Sequence, residues 1–143
     1  MIKRFAFVLV VVLLGACSSL SPIKTQSQHW RNNNIANYSY DIQWSCFCNR
    51  DLLKTVHIEV INSKLVSRKY LDSKKAIPSA YYNLFGTMDD LIKILEDAEE
   101  QNAYKINILW NKDYNYPESS NIDYIKDAVD DERAFRVTNF KIK

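Results

Sequence analysis

Polar and apolar residues alternate strictly along Tyr38–Cys46. Tyr38, Tyr40, Ile42, Trp44 and Cys46 fall on one face, and Ser39, Asp41, Gln43 and Ser45 on the other. A period of two carried by aromatic and β-branched residues predicts a half-buried strand. Residues 55–61 repeat the pattern with Val56, Ile58 and Val60 inward and His57 and Glu59 outward, and residues 64–71 return as a third strand. Between them, Asn62-Ser63 fits a two-residue hairpin turn, because asparagine tolerates the positive φ that glycine usually supplies. The period changes over residues 87–100, where Met88, Leu91, Ile92, Leu95 and Ala98 line up as one apolar stripe of a helix. Thr87 as cap and Asp90 three residues later form a capping box, and Asp89 and Asp90 sit where the helix dipole favours negative charge. Alternation resumes over 104–110 and 135–142, predicting a fourth and a fifth strand. Residues 29–36 read as a short helix with Trp30 and Ile35 turned inward. Residues 111–134 read as a Tyr/Asn/Asp-rich connection, with 122–129 as loop or short helix. The expected fold class is α+β: a mainly antiparallel sheet of about four to five strands with one main helix packed across one face.

The N-terminus follows a different pattern. Lys3 and Arg4 precede an unbroken apolar run over residues 5–14. Ten residues are too few for a membrane span, which takes roughly 20, but suit the core of a secretory signal. Leu14-Gly15-Ala16-Cys17 follows directly and resembles the bacterial lipobox. In such signals the cysteine becomes the new N-terminus and carries the acyl chains, and several chains anchor stably where one does not. The expected organisation is a lipoprotein signal peptide over 1–16, a lipidated tether over 17–28 beginning at Cys17, and a single α+β domain over 29–143. Ser18, rather than aspartate, follows the cysteine, so the outer membrane is the expected destination if the organism has one, with the domain facing the periplasm.

Composition supports one globular domain: 143 residues, 47% hydrophobic, 25% charged and 13% aromatic. Of its 19 basic residues, Lys3 and Arg4 lie in the signal, which leaves 17 against 17 acidic ones. A formally neutral domain lacks the clustered basic excess of a sequence-independent nucleic-acid binder, so no nucleic acid is expected as partner. The expected partners are the membrane, through the lipid, and an envelope protein.

Several motifs resemble those of a family of small bacterial lipoproteins known only as a domain of unknown function. They are Cys46-Phe47-Cys48, Val56-His57-Ile58-Glu59-Val60, Thr87-Met88-Asp89-Asp90-Leu91, Tyr114-Asn115-Tyr116-Pro117, Ile122-Asp123 and Asp130-Asp131-Glu132. The resemblance spans residues 30–142. It departs at the hairpin and before the Tyr-Pro pair, where Asn62-Ser63 and Asn115 stand in place of glycine. The resemblance implies a class and an address, and no mechanism.

Candidate chemistry is concentrated at Cys46 and Cys48, the two cysteines left once Cys17 is lipidated. Residues i and i+2 of a regular strand hold their Cβ atoms roughly 6–7 Å apart, whereas a disulfide wants about 3.8 Å, so a bridge requires the chain to curl at the strand end. Asn49-Arg50-Asp51 is turn-forming sequence that permits it. Four states follow: a local structural disulfide, a redox-active pair, a soft-metal site for copper(I) or zinc with His57 as third ligand, or free thiols. His29 and His57 lack a recognisable nucleophile partner, and a domain whose one glycine is Gly86 has no phosphate-binding glycine loop. No catalytic residues and no cofactor are expected. Asp113, Glu118, Asp123, Asp127, Asp130, Asp131 and Glu132 lack the spacing and the glycine of a calcium loop and read as solvated charges. Tyr114, Tyr116 and Trp110 read as core, with an aromatic recognition surface as the alternative. The leading functional expectation is a non-enzymatic, lipid-anchored binding or structural module of the cell envelope. The alternative is a periplasmic thiol-disulfide or soft-metal-handling protein using Cys46 and Cys48.

Overall fold

A computed structural model describes residues 20–143; the segment read as a signal peptide and Cys17, read as the lipidation site, lie outside the described residues. The chain runs α1 (Pro22–Asn32), β1 (Tyr38–Cys46), β2 (Val56–Ile61), β3 (Lys64–Tyr70), α2 (Met88–Glu100), β4 (Lys105–Trp110), β5 (Pro117–Asp123) and β6 (Arg133–Ile142). The six strands form one sheet in the order β3-β2-β1-β6-β5-β4, antiparallel throughout. Two three-strand meanders, β1 to β3 and β4 to β6, are joined through α2 and meet where β1 pairs with β6.

The α+β class and the single helix-covered face match the sequence reading, but the sheet has six strands and there are two helices. The additional strand is β5, inside the segment read as a connection. Its residues, Pro-Glu-Ser-Ser-Asn-Ile-Asp, carry too few apolar side chains to advertise a strand. Only Pro117, Ser120 and Ile122 are buried; pairing with β4 and β6 on either side stabilises it. Of the two readings of 122–129, loop or short helix, the helix does not form: β5 ends at Asp123 and turns follow.

The second helix, α1, overlaps the short helix expected over 29–36 but begins seven residues earlier, inside the stretch read as tether, and ends at Asn32. Its signal is short: Ser21 caps it by accepting from the Lys24 amide, and Pro22 occupies the first turn. Ile23, Ser27 and Trp30 make its buried stripe. The Ser27 hydroxyl donates to the Ile23 carbonyl at 2.8 Å, which allows a serine on an apolar face. Ser21 donates to Glu99 at 2.6 Å, Lys24 pairs with Glu100 at 3.3 Å, and Arg31 reaches Glu96 and Asp89. Early α1 residues thus meet late α2 residues, and the two helices run antiparallel.

α2 starts as its sequence predicts. Thr87 accepts from the Asp90 amide, and the Asp90 carboxylate accepts from the Thr87 amide at 2.7 Å. Gly86, just before it, leaves the space this carboxylate fills: a Cβ there would fall closer than 3.0 Å to the Asp90 side chain. Under the helices lies the core. Trp30 meets Tyr38, Tyr116 and Phe140 edge-on, and Tyr116 stacks on Phe140 at 4.4 Å between centroids. Tyr116 is therefore a core residue, while Tyr114 is 37% exposed at the cluster's rim. Two tyrosines of β1 tie the sheet to the start of α2: the Met88 amide donates to the Tyr38 hydroxyl at 2.9 Å, and the Tyr40 hydroxyl donates to the Gly86 carbonyl at 2.7 Å.

With so little glycine, asparagine makes the turns. Asn34, Asn62, Asn102, Asn115 and Asn139 all have positive φ. Asn62 and Ser63, at φ 50° and 60°, give the hairpin turn expected between β2 and β3.

Candidate functional site

Cys46 closes β1 opposite Arg133, and the chain bends sharply after it. The bend brings Cys46 and Cys48 to a Cα separation of 5.3 Å, and the two sulfurs are bonded. Asn49 stabilises the return by accepting from the Asp51 amide at 3.0 Å. Phe47, held between the two cysteines, stands 81% exposed.

His57 is not brought to this pair. It faces Asp41 across β1 and β2, five residues before Cys46, which is roughly 16 Å along the strand. Its Nδ1 lies 2.6 Å from Asp41 Oδ1, and Asn139 donates to Asp41 Oδ2 at 2.8 Å. Asp41, expected on the outward face, is buried because these neighbours cover it, its carboxylate satisfied by both of them. Asn139 reaches it because β6 bulges at this point, where the register shifts between Ser39 and Asp41 and Asn139 adopts φ 52°. Among the described residues no three His, Cys, Asp or Glu side chains converge as metal ligands. His29 is exposed on the last turn of α1. Among the acidic residues, Glu118 accepts from Asn111 and Asp131 from the Ile125 amide, so both are engaged in shaping turns.

The feature that sequence reasoning missed is on the sheet face without helices. Register sets two rows of side chains there, side by side across four strands. One is Gln43, Arg136, Ser119 and Leu109; the other is Ser45, Ala134, Asn121 and Asn107. Together they floor a groove of about 750 Å³. Leu53, from the short 3-10 turn after the disulfide, stands over one side, and its carbonyl accepts from Gln43 Nε2 at 3.0 Å. The small Ala134 deepens the middle. A second recess of about 480 Å³ continues from Ser45, Asn121 and Ala134 to the disulfide end, where Phe47, Val129, Asp130 and Glu132 wall it. Arg136 forms no salt bridge among the described residues. Gln43, Ser45, Asn107, Leu109 and Arg136 occupy outward positions of strands whose alternation the sequence shows; what it does not show is that Ser119 and Asn121 belong to a strand at all, or that β1, β6, β5 and β4 lie side by side.

The sequence over residues 23–142, nearly the whole described region, matches a family described as a family of unknown function, DUF6174. This chain belongs to the DUF6174 family. No curated protein and no solved structure matches it. In this DUF6174 protein the matched span runs from the second residue of α1 to the last residue of β6. No helix among the described residues is long and apolar enough to cross a membrane.

Chemically, the groove of the DUF6174 domain offers amide and hydroxyl groups for hydrogen bonding, one guanidinium for an anionic group, and apolar flanks at Leu53 and Leu109. Neither histidine lines it.

Proposed function

We propose that the protein is a lipid-anchored module of the bacterial cell envelope that binds a polar ligand along the open sheet face and works by binding, not by catalysis. The observation that carries this reading is the groove itself: uncharged hydrogen-bonding side chains with Arg136 on the floor, and no histidine, thiol or carboxylate in the main recess. Such a lining recognises hydroxyls, amides and one anionic group. It supplies no general base to act on them. The Cys46–Cys48 bridge serves this reading by fixing the wall at which Phe47 stands. The anchor rests on Lys3 and Arg4, the apolar run over 5–14 and Leu14-Gly15-Ala16-Cys17.

A photoreactive phenylalanine analogue placed at Asn121 in the full chain tests the binding claim in living cells. A discrete adduct should form from that position and disappear with Ala134→Trp, which fills the groove. No adduct, or one that survives Ala134→Trp, refutes it. For the anchor, Cys17→Ser should abolish both acyl labelling and membrane fractionation, and their persistence would exclude the lipobox.

A further inference from the structure

The two edges of the sheet are built differently. At β3 the outer backbone is already engaged by the chain that follows it. The Tyr70 amide donates to the Lys75 carbonyl at 2.9 Å, the Lys74 amide to the Tyr70 carbonyl at 3.0 Å, and Lys69 bridges to Ala76. Its register shifts opposite Glu59 and Val60, and Lys64, Arg68 and Lys69 add charge. Bulges, charges and covering segments are the means by which proteins keep edge strands from pairing.

β4 has none of these. Its sequence, Lys-Ile-Asn-Ile-Leu-Trp, carries a single charge at one end and no proline. The register shift at its far end places the extra residue on β5, so β4 itself is regular. Among the described residues, none of its backbone groups bonds outside the ladder with β5. The helix layer does not cover it fully: Ile106, Ile108 and Trp110 remain half-buried, and Leu109 on the open face is 57% exposed.

An unpaired strand edge selects its partner by chemistry, because only another extended backbone satisfies its row of donors and acceptors. We propose that β4 pairs antiparallel with β4 of a second copy of this chain, about a two-fold axis through Ile108. In that register Ile108 faces Ile108 and Ile106 faces Trp110 on either side of it, so the half-buried side chains cover one another. On the open face Asn107 meets Leu109. Lys105 lies at the margin, and no like charges are opposed. Centring the pair on Asn107 instead sets Lys105 against Leu109 and leaves Trp110 outside the contact, which is why Ile108 is the centre. The contact is isologous and closes as a dimer. It joins two six-stranded sheets edge to edge with both open faces on the same side. It brings Asn107 and Leu109, at one end of the groove floor, to the junction, and the pairing is read from the strand edge whether or not the groove holds a ligand.

The test is oxidative crosslinking of the full-length chain in membranes of cells that express it. Directly opposed residues of an antiparallel pair hold their Cα atoms about 4.5–5.5 Å apart, within reach of a disulfide. Ile108→Cys should therefore give a covalent dimer on non-reducing gels, well above the product from Val66→Cys, an exposed control on the opposite edge. Adding Asn107→Lys with Leu109→Lys, both solvent-facing, opposes like charges across the junction and should remove the Ile108→Cys product while leaving the circular dichroism spectrum unchanged. Monomer alone from Ile108→Cys, a yield no higher than the Val66→Cys control, or a product that survives the two lysine substitutions overturns the proposal.

Discussion

Tyr38 makes alkaline pH a direct probe of how the sheet is joined to α2. The residue is 2% exposed, and its hydroxyl accepts the Met88 amide proton at the first turn of the helix. Burial pushes this phenol from its ordinary value of 10.0 up to about 12; the Met88 hydrogen bond opposes the shift, and the Asp89 and Asp90 carboxylates add to it. The neutral form is therefore the one the fold prefers. The stability it contributes is complete below pH 10 and is lost as pH rises through 12. At pH 12 the loss from this one group is about 2 kcal/mol relative to neutral pH, from the difference between the folded and unfolded states. Tyr38→Phe keeps the aromatic packing but strands the Met88 amide, which costs about 1 kcal/mol at pH 8. Phenylalanine does not ionise, so the variant escapes the alkaline loss. The order of stability should thus reverse: wild type more stable by about 1 kcal/mol near pH 8, and the variant more stable by a similar margin near pH 12. Urea unfolding followed by far-ultraviolet circular dichroism at both pH values measures the difference. Tyr40 is raised in the same direction, first by its burial and then by the neighbouring Tyr38 phenol, so removing that phenol eases the alkaline loss at Tyr40 as well and favours the variant in the same sense. A stability difference of the same sign and size at both pH values would sink the argument.

Two further substitutions probe local features. Gly86→Ala should displace the Asp90 carboxylate from the Thr87 amide and cost about 1 kcal/mol, the worth of a helix cap. In an Asp90→Ala background the same change should cost little, and a fully additive double-mutant cycle would separate Gly86 from the cap. Asp41→Ala removes the buried acceptor shared by His57 and Asn139, and should destabilise the domain by about 2–3 kcal/mol in thermal or urea melts. A loss below 0.5 kcal/mol, typical of surface sites, would mean that this carboxylate contributes little to holding β1, β2 and β6 together.

Much of the fold is legible in one pass along the chain. Tyr38–Cys46 is a strand with the bounds its alternation marks, α2 begins at the Thr87–Asp90 box, and Asn62-Ser63 turns the hairpin. These features are local: side-chain period, capping hydrogen bonds and tolerance of positive φ act between residues a few positions apart, so the sequence states them directly. The membership of Cys46 and Cys48 in one tight turn was legible as a possibility for the same reason. Where the local signal is weak the reading failed. In α1, Ser27 takes an apolar position, and β5 has little apolar content of its own; both elements are stabilised by distant partners, Glu96 to Glu100 for α1 and the β4 and β6 ladders for β5.

By itself, then, the sequence determined the class, most elements and their inward faces, because hydrophobic period is an address for one face of one element. The tertiary structure alone decided that β1 pairs with β6 almost a hundred residues away, that Asp41 is buried between His57 and Asn139, and that Gln43, Arg136, Asn121 and Asn107 meet in one groove. Strand order is a matter of non-local hydrogen bonding. Backbone donors and acceptors are alike in every strand, so which edges meet is settled only when the helices, turns and core close together.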